Sequence, residues 1–261
     1  MISGQDNNKI GTINLIMSMS LKIVEEMLSL YDGQQSENLS RFFKTGKGEY
    51  GEGDKFIGIK VPVTRSIVKK YRHDISLEDI ENLISSEWHE IRLTGFFLLL
   101  ELYRTSIKES DLRKAQKLVD FYLAKIDKGN NWDLVDLVSE YILGDWILRN
   151  PDKEYILFDL AERQGYLWHQ RVAIVSTFTL IRAGKFDLTF LIAEKFLSHP
   201  HDLIHKATGW MLREIGKRGG KKDLVNFLER HKMKMPRTML RYAIEKFPEK
   251  ERKYFMSIEK R

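Results

Sequence analysis

Apolar residues recur at helical spacing along most of the chain, with polar and charged residues between them. Leu134, Val135, Val138 and Ile142, for example, fall on one side of a helix with 3.6 residues per turn. The same periodicity predicts amphipathic helices at 21–30, 188–196 and 224–228, and a helix that Pro62 opens and that runs to Tyr71. Turn signals rich in Gly, Asn and Pro separate these segments, so the pattern indicates an all-helical chain.

The helical segments also repeat. Four six-residue segments look alike when they are aligned on the basic residues Arg92, Arg171, Lys206 and Arg241, and Asp133 occupies the equivalent place in a fifth segment. The steps between these positions are 41, 38, 35 and 35 residues. Helix pairs that repeat at this period are typical of HEAT-like repeats. We therefore predict an all-α, HEAT-like α-solenoid, a curved stack of antiparallel helix pairs with a concave basic face.

Stacked repeats share one continuous core, so residues 1–261 are expected to form a single domain. The N-terminal part fits the repeat less well. We expect residues 1–20 to be loosely ordered and the Gly-rich segment 45–55 to be a mobile loop, because long Gly-rich loops inside compact folds are usually functional or mobile.

Composition excludes several kinds of site. The chain of 261 residues is 43% hydrophobic and 31% charged, which is typical of a folded protein, and it has no cysteine. Disulfides, thiol catalysis, iron–sulfur clusters and thiolate zinc sites are therefore excluded. His201 and His205 are one helical turn apart, but no carboxylate completes a site except Asp202, which is expected to point elsewhere, so we predict no metal site. The longest apolar run, 95–100, is too short to cross a membrane, and a cytoplasmic protein is expected.

The charge is unevenly distributed. The net charge is +6, yet residues 201–261 contain 17 Lys and Arg against 8 Asp and Glu, a balance of +9, so the first 200 residues sum to −3. Such asymmetry indicates an acidic polymer as partner, most commonly a nucleic acid, or else a solvated basic face. Because equivalent positions of a solenoid lie on one surface, the aligned basic residues predict a stripe that could bind a phosphate backbone. The alternative is that they pair with Asp and Glu between repeats.

The fifth repeat breaks this basic pattern. It has Asp133 where the others have a cation, and Trp132 and Asp136 are neighbours on one face of its helix. Trp210 occupies the register that matches Leu137, and Arg171 lies in the repeat between them. Two large aromatics, a carboxylate and an arginine are therefore predicted to converge. Taken singly, each residue has a structural explanation, since tryptophans are often core residues and first-turn aspartates often cap helices.

The segments 131–136 (NWDLVD), 168–173 (WHQRVA) and 206–214 (KATGWMLRE) resemble the AlkD family of HEAT-repeat alkylpurine DNA glycosylases. The resemblance covers roughly residues 20–250 and includes FIGI at 56–59, Pro62 and PRTMLRYA at 236–243. It implies that Asp136 and Trp132 are catalytic, with Arg171 as the active-site arginine and Trp210 as the second tryptophan. It also implies excision of cationic N3- or N7-alkylated purines from duplex DNA, without a metal or cofactor.

Physical chemistry is consistent with these roles. A carboxylate such as Asp136 can oppose the charge of an oxocarbenium-like sugar and orient the attacking water. The faces of Trp132 and Trp210 attract cations, and Arg171 is expected to anchor a phosphate near the lesion. The mechanism needs no lysine nucleophile, so a monofunctional enzyme without strand cleavage is expected.

Five basic residues are expected to contact the DNA backbone, namely Arg92, Lys206, Arg213, Arg241 and Lys60. Two features depart from the family pattern: the 45–55 loop is longer, and Lys60 stands where a neutral polar residue is expected. Two other functions remain open. One is a HEAT-repeat module that binds duplex or branched DNA without catalysis, and the other is a protein–protein scaffold. A concave groove of this kind works as a monomer.

Overall fold

A computed structural model describes residues 18–257, and within that range it contains helices and no β-strand. The helices are α1 Met19–Leu28, α2 Gly33–Phe42, α3 Val61–Tyr71, α4 Leu77–Ile84, α5 His89–Lys108, α6 Leu112–Ala124, α7 Trp132–Asp136, α8 Asp145–Arg149, α9 Tyr155–Glu162, α10 Leu167–Arg182, α11 Asp187–Lys195, α12 Asp202–Lys217, α13 Lys221–His231, α14 Arg237–Ala243 and α15 Glu249–Met256. Short 3₁₀ turns lie at Ile126–Lys128 and Pro151–Lys153, and a π-helical segment at Glu140–Gly144 leads into α8. The predicted all-α fold class is confirmed.

The helices form two rows. In the first row α5, α7, α10, α12 and α14 follow one another, each packed on the next, and we call these the inner helices. The second row contains α4, α6, α9, α11 and α13, each packed against inner helices. The long inner helices are apolar on several sides, and α5 is buried continuously from His89 to Leu100. They therefore carry the core, as stacked helix pairs require.

Local sequence explains where these helices begin and how closely they pack. Ser76 and Asp79 form a capping box at the start of α4, and Pro62 lies in the first turn of α3. Glycines allow close contact within the inner row: a Cβ on Gly209 would lie 2.5 Å from the Met239 carbonyl of α14. Neighbouring inner helices thus contact one another through backbone as well as side chains.

The aligned positions of the repeat lie where the sequence places them. Arg92, Asp133, Arg171, Lys206 and Arg241 occur in α5, α7, α10, α12 and α14, in each case within the first five residues of the helix. The aligned residues therefore occur on successive inner helices, in the first turns of α5, α7, α10 and α12 and near the end of the short helix α14.

Two predictions concern the N-terminal part. Residues 1–20 are expected to be loosely ordered. Of these, residues 1–17 lie outside the described residues, whereas Ser18 caps the N-terminus of α1. The 45–55 segment forms consecutive turns with internal hydrogen bonds, such as Glu49 N to Gly46 O at 3.0 Å. Its mobility remains a prediction. Among the helices of residues 18–257, none is long and apolar enough to cross a membrane.

Candidate functional site

An open cleft of about 540 Å³ extends from the N-terminal ends of α7 and α10 past the middle of α12. Aromatic and basic side chains dominate its wall, which consists of Phe42, Tyr50, Trp132, Arg171, Leu203, Lys206, Ala207, Trp210, Arg213 and Tyr242. The structure therefore brings Trp132, Arg171 and Trp210 together, as the repeat register predicts. Asp136 is not part of this wall, but it forms an ion pair with Arg171, which is.

Trp132 begins α7, and its position is fixed by the residue before it. The Asn131 side-chain oxygen accepts a hydrogen bond from Trp132 N at 2.9 Å, and its amide nitrogen donates to Phe43 O at 3.3 Å. The indole packs against Phe43 and Phe42, with ring centroids 5.1 and 5.8 Å away. The half-buried indole thus has one side supported by aromatic rings while it lines the cleft.

Asp136 and Arg171 form a two-pronged ion pair. Arg171 Nε donates to Asp136 Oδ1 at 2.8 Å, Nη2 donates to Oδ2 at 2.6 Å, and Nη1 donates to the Leu203 carbonyl at 2.6 Å. The two side chains are only 13% and 7% exposed. Three of the five N–H donors of the guanidinium are therefore used within the protein. The phosphate anchor expected at Arg171 stays a prediction.

Burial also changes the chemistry of Asp136. Removal from water raises the pKa of its carboxyl, and the neighbouring Arg171 opposes that rise. The ionised form is thus costly in this place and depends on the arginine. A carboxylate that is poorly hydrated interacts strongly with any positive charge that develops beside it.

The other expected backbone contacts differ in how exposed they are. Lys206 is 42% exposed and pairs with Asp202 at 2.8 Å, whereas Arg213 is 19% exposed and pairs with Glu245 and Glu214. Arg241 and Lys60 are exposed, although neither lies in the wall of the cleft.

Arg92 lies inside the protein instead. Its Nη1 donates to the carbonyls of Ser86 and Glu87 at 3.0 and 3.1 Å, while its Nη2 donates to Asp54 and to Asn130. The side chain is 7% exposed and Asp54 is fully buried. The prediction of an exposed phosphate contact at Arg92 is therefore wrong, because the 45–55 loop supplies a buried acid. Arg92 instead follows the alternative stated above, in which an aligned basic residue pairs with an acidic residue of the protein.

A second basic surface lies near the opposite ends of the inner helices. Arg104 of α5 and Arg182 of α10 both lie over the Tyr141 ring, 5.1 and 5.2 Å from its centroid. Arg182 and Arg218, the residue that follows α12, lie 4.7 and 4.9 Å from the centroid of the Phe178 ring. We call these five residues the arginine row. Its arginines are 48%, 36% and 32% exposed in chain order.

The arginine row is continuous with the cleft, because Phe178 contacts Trp210 at a centroid distance of 5.7 Å. Each arginine has a carboxylate partner as well, Glu101, Glu140 or Glu214. The sequence contains a signal for the row: Arg104, Arg182 and Arg218 lie 12, 11 and 12 residues after the aligned basic positions. A six-residue alignment is too short to include them.

Phe42 and Tyr50 are also unpredicted members of the cleft. They come from α2 and the 45–55 loop, and Tyr50 packs edge-on against Trp168 at 6.2 Å. They lie far along the chain from the repeats that form the rest of the wall. No local pattern could place them there.

The chain is similar in sequence to one protein family and similar in fold to a solved structure. The sequence profile of the DNA alkylation repair enzyme family matches residues 23–247. No curated protein matches the sequence. A solved structure from Enterococcus faecalis, described as a predicted DNA alkylation repair enzyme, superposes with a TM-score of 0.64 at 18% identity and covers 84% of this chain and 97% of that chain. At this identity the superposition supports the fold alone.

Proposed function

Because the chain belongs to the DNA alkylation repair enzyme family, we propose that it is a DNA glycosylase for cationic alkylated purines. It would hydrolyse the N-glycosidic bond of N3- or N7-alkylated purines in duplex DNA and leave the strand uncut. The observation that carries this proposal is one cleft walled by two indoles and by an arginine that grips Asp136.

The reaction needs little from the protein beyond stabilisation of positive charge. Alkylation gives the purine a positive charge, so the base departs with the electrons of the glycosidic bond and becomes neutral. The sugar then develops oxocarbenium character, which the ionised Asp136 opposes. Asp136 can orient the water that bonds to the sugar carbon, and the proton which that water loses passes to the Asp136 carboxylate and from there to solvent.

The two indoles favour the cationic lesion over ordinary DNA. The face of a tryptophan attracts a cation, most strongly where water is partly excluded. Trp132 is supported by Phe43 and Trp210 by Phe178, so neither ring must be ordered when DNA binds. Attraction of this kind acts on the charged base before the bond breaks and on the charged sugar afterwards.

Phosphate contacts are proposed for the exposed cations around the cleft. Lys206, Arg213, Arg241 and Lys60 remain candidates, and the arginine row adds three more. Each cation that neutralises a phosphate releases a counterion, so affinity should fall steeply with salt. Arg92 is left out because it is buried. Binding of one duplex by one copy of the chain, as a monomer, remains part of this proposal.

A second candidate is a DNA-binding module that does not release bases. The ion pair between Asp136 and Arg171 favours it, because both carboxylate oxygens already accept hydrogen bonds from the arginine. Catalysis requires that at least one oxygen faces the sugar when damaged DNA is bound. The two candidates share the DNA interface and differ in that one step.

The test is base release from a duplex that contains N7-methylguanine, with wild type, Asp136→Asn and Asp187→Asn assayed together. Asp187 is an exposed residue in the first turn of α11, outside the cleft, and is the matched control. Release by wild type and Asp187→Asn alone supports the glycosylase. No release by any of them, with DNA binding retained, supports the binding module. A scaffold that binds other proteins predicts negligible DNA affinity at about 150 mM salt.

A further inference from the structure

A buried histidine joins three segments of the chain beside the cleft. His89, the first residue of α5, is 2% exposed in its side chain. Its Nδ1 lies 2.7 Å from Asp54 Oδ2, and its Nε2 lies 2.9 Å from Asp133 Oδ2. Asp54 belongs to the 45–55 loop, and Asp133 to the first turn of α7. His89 therefore bridges two elements that are far apart in sequence.

The hydrogen bonds define the charge of this histidine. An ionised carboxylate only accepts hydrogen bonds, so an imidazole between two of them must donate from both nitrogens, which makes it a cation. Arg92 also donates to Asp54, and the Leu134 backbone donates to Asp133 at 2.9 Å. Burial lowers the pKa of His89, but the two carboxylates outweigh it and raise the pKa to about 9.

The surroundings of His89 are otherwise aromatic. Phe56 stacks on the imidazole with centroids 4.4 Å apart, and Phe43 lies 5.1 Å away. Glu90, the next residue of α5, is bound to the backbone N–H groups of residues 57–59 and makes no hydrogen bond to the ring. The charged groups that face the histidine are therefore Asp54 and Asp133, with Arg92 behind Asp54.

Two paths lead from His89 to the cleft. The first is covalent, because Asp133 lies between Trp132 and Asp136 in a helix of five residues. The second is by packing, since the Phe43 ring contacts both His89 and Trp132 with centroids 5.1 Å away. A helix this short has few hydrogen bonds of its own and depends on tertiary anchors.

We propose that His89 is a positioning residue for the cleft: as a cation held between Asp54 and Asp133, it fixes the first turn of α7 and thereby Trp132 and Asp136. The cleft rests on the function proposed above, but the positioning of Trp132 can be measured without it. A purely structural histidine would affect only overall stability.

The charge of His89 makes this inference measurable. The pKa is raised in the folded state, so the bridge is complete at neutral pH and is lost as pH rises through about 9. Loss of the proton removes one donor, and one carboxylate is then left without its partner. The environment of Trp132 should therefore change near pH 9. Replacing Asp133 by a neutral amide removes one of the two negative charges that stabilise protonated His89. The change in the environment of Trp132 should therefore occur at lower pH.

The experiment is ¹⁹F NMR of the 5-fluorotryptophan-labelled full chain between pH 7 and 10, with Trp132 assigned from Trp132→Phe. The expected result is a Trp132 shift with a midpoint near pH 9 in wild type and a midpoint at least one pH unit lower in Asp133→Asn. Asp127→Asn is the matched control, because Asp127 is 67% exposed, and it should titrate like wild type. The buried Trp146 reports global unfolding and should stay constant.

A Trp132 signal that does not titrate in wild type would overturn the inference, even if Asp133→Asn fails to fold. An unchanged midpoint in a folded Asp133→Asn would also overturn it. Base release measured on the same samples separates the two proposals. If the Trp132 signal titrates as expected but no base is released at any pH, the positioning role stands and the glycosylase does not.

Discussion

The two ends of the inner helices use arginine in opposite ways. At the N-terminal ends, Arg92 and Arg171 are each 7% exposed and donate hydrogen bonds to protein oxygens. Near the C-terminal ends, Arg104, Arg182 and Arg218 are 32–48% exposed and lie over aromatic rings. Arg241 of α14 is exposed as well, so the contrast is between the buried pair Arg92 and Arg171 and the exposed arginine row.

This difference separates two tasks that a single stripe of cations would combine. A buried arginine holds a carboxylate in one orientation, whereas an exposed arginine can exchange its partner for a phosphate. Eleven or twelve residues of helix separate the two sets, or about 17 Å along the axis. We therefore expect the N-terminal ends to supply the chemistry and the arginine row to supply affinity for the DNA backbone.

The largest expected effect is on stability, and it falls on the buried arginines. Arg171→Ala should lower the free energy of unfolding by about 3–5 kcal/mol, because it leaves the Asp136 carboxylate without its partner in a poorly hydrated place. Arg104→Ala should change it by less than about 1 kcal/mol, since that side chain is 48% exposed. Urea unfolding monitored by circular dichroism gives both values. Equal losses would remove the distinction between the two ends.

The next effect concerns DNA affinity and falls on the arginine row. Arg182→Gln combined with Arg218→Gln should lower the slope of log K against log salt by about 2 for an undamaged duplex, because two phosphate contacts are lost. Lys222→Gln combined with Arg230→Gln removes the same charge from exposed positions of α13 and should leave the slope near wild type. If both double variants change the slope equally, the salt dependence reflects net charge alone and the arginine row has no specific role in DNA binding.

A smaller effect is expected at the indoles. Trp210→Leu should slow base release by about 3- to 30-fold, which corresponds to roughly 0.5–2 kcal/mol of cation–π attraction. Trp210→Phe keeps an aromatic face and should lose less. Both rates are measured on the N7-methylguanine duplex at saturating enzyme. Identical rates for the leucine and phenylalanine variants would contradict a role for the ring.

The acid side of the pH profile sharpens the comparison further. Burial raises the pKa of Asp136, so enzymatic base release should fall on acidification with a midpoint above the ordinary aspartate value of 3.8. Only the ionised carboxylate opposes the sugar cation, so protonation of Asp136 should lower the rate of base release. The arginine-row variant should keep the same midpoint, after subtraction of release without enzyme. A shifted midpoint in that variant would link the two ends electrostatically.

Sequence periodicity predicts the inner helices and their register well, and for a physical reason. Stacked repeats force equivalent positions onto one surface, so the spacing of Trp132, Arg171 and Trp210 suffices to bring them to one cleft. Asp136 follows because it shares a helix with Trp132. Features that depend on local pattern or on the repeat register, such as these helices and these four residues, can therefore be predicted from the sequence.

Contacts between distant segments are what the sequence does not reveal. Arg92 is aligned with Arg171, yet its partner Asp54 comes from a loop outside the repeats. Asp133 occupies the place of a cation because it binds His89, a pairing across 44 residues. Tyr50 reaches the cleft in the same way, through the fold of the 45–55 loop. Nothing in the neighbouring residues of any of these three indicates its partner.

The most direct test of the account is a single-turnover assay of base release over a range of enzyme concentrations. Wild type is compared with Asp136→Asn and with the combined Arg182→Gln and Arg218→Gln variant. The account predicts that Asp136→Asn lowers the saturated rate by about 100-fold or more while half-saturation is unchanged. For the arginine-row variant it predicts the reverse: the enzyme concentration that gives half-saturation rises, and the saturated rate is retained. A wild-type saturated rate in Asp136→Asn would contradict it.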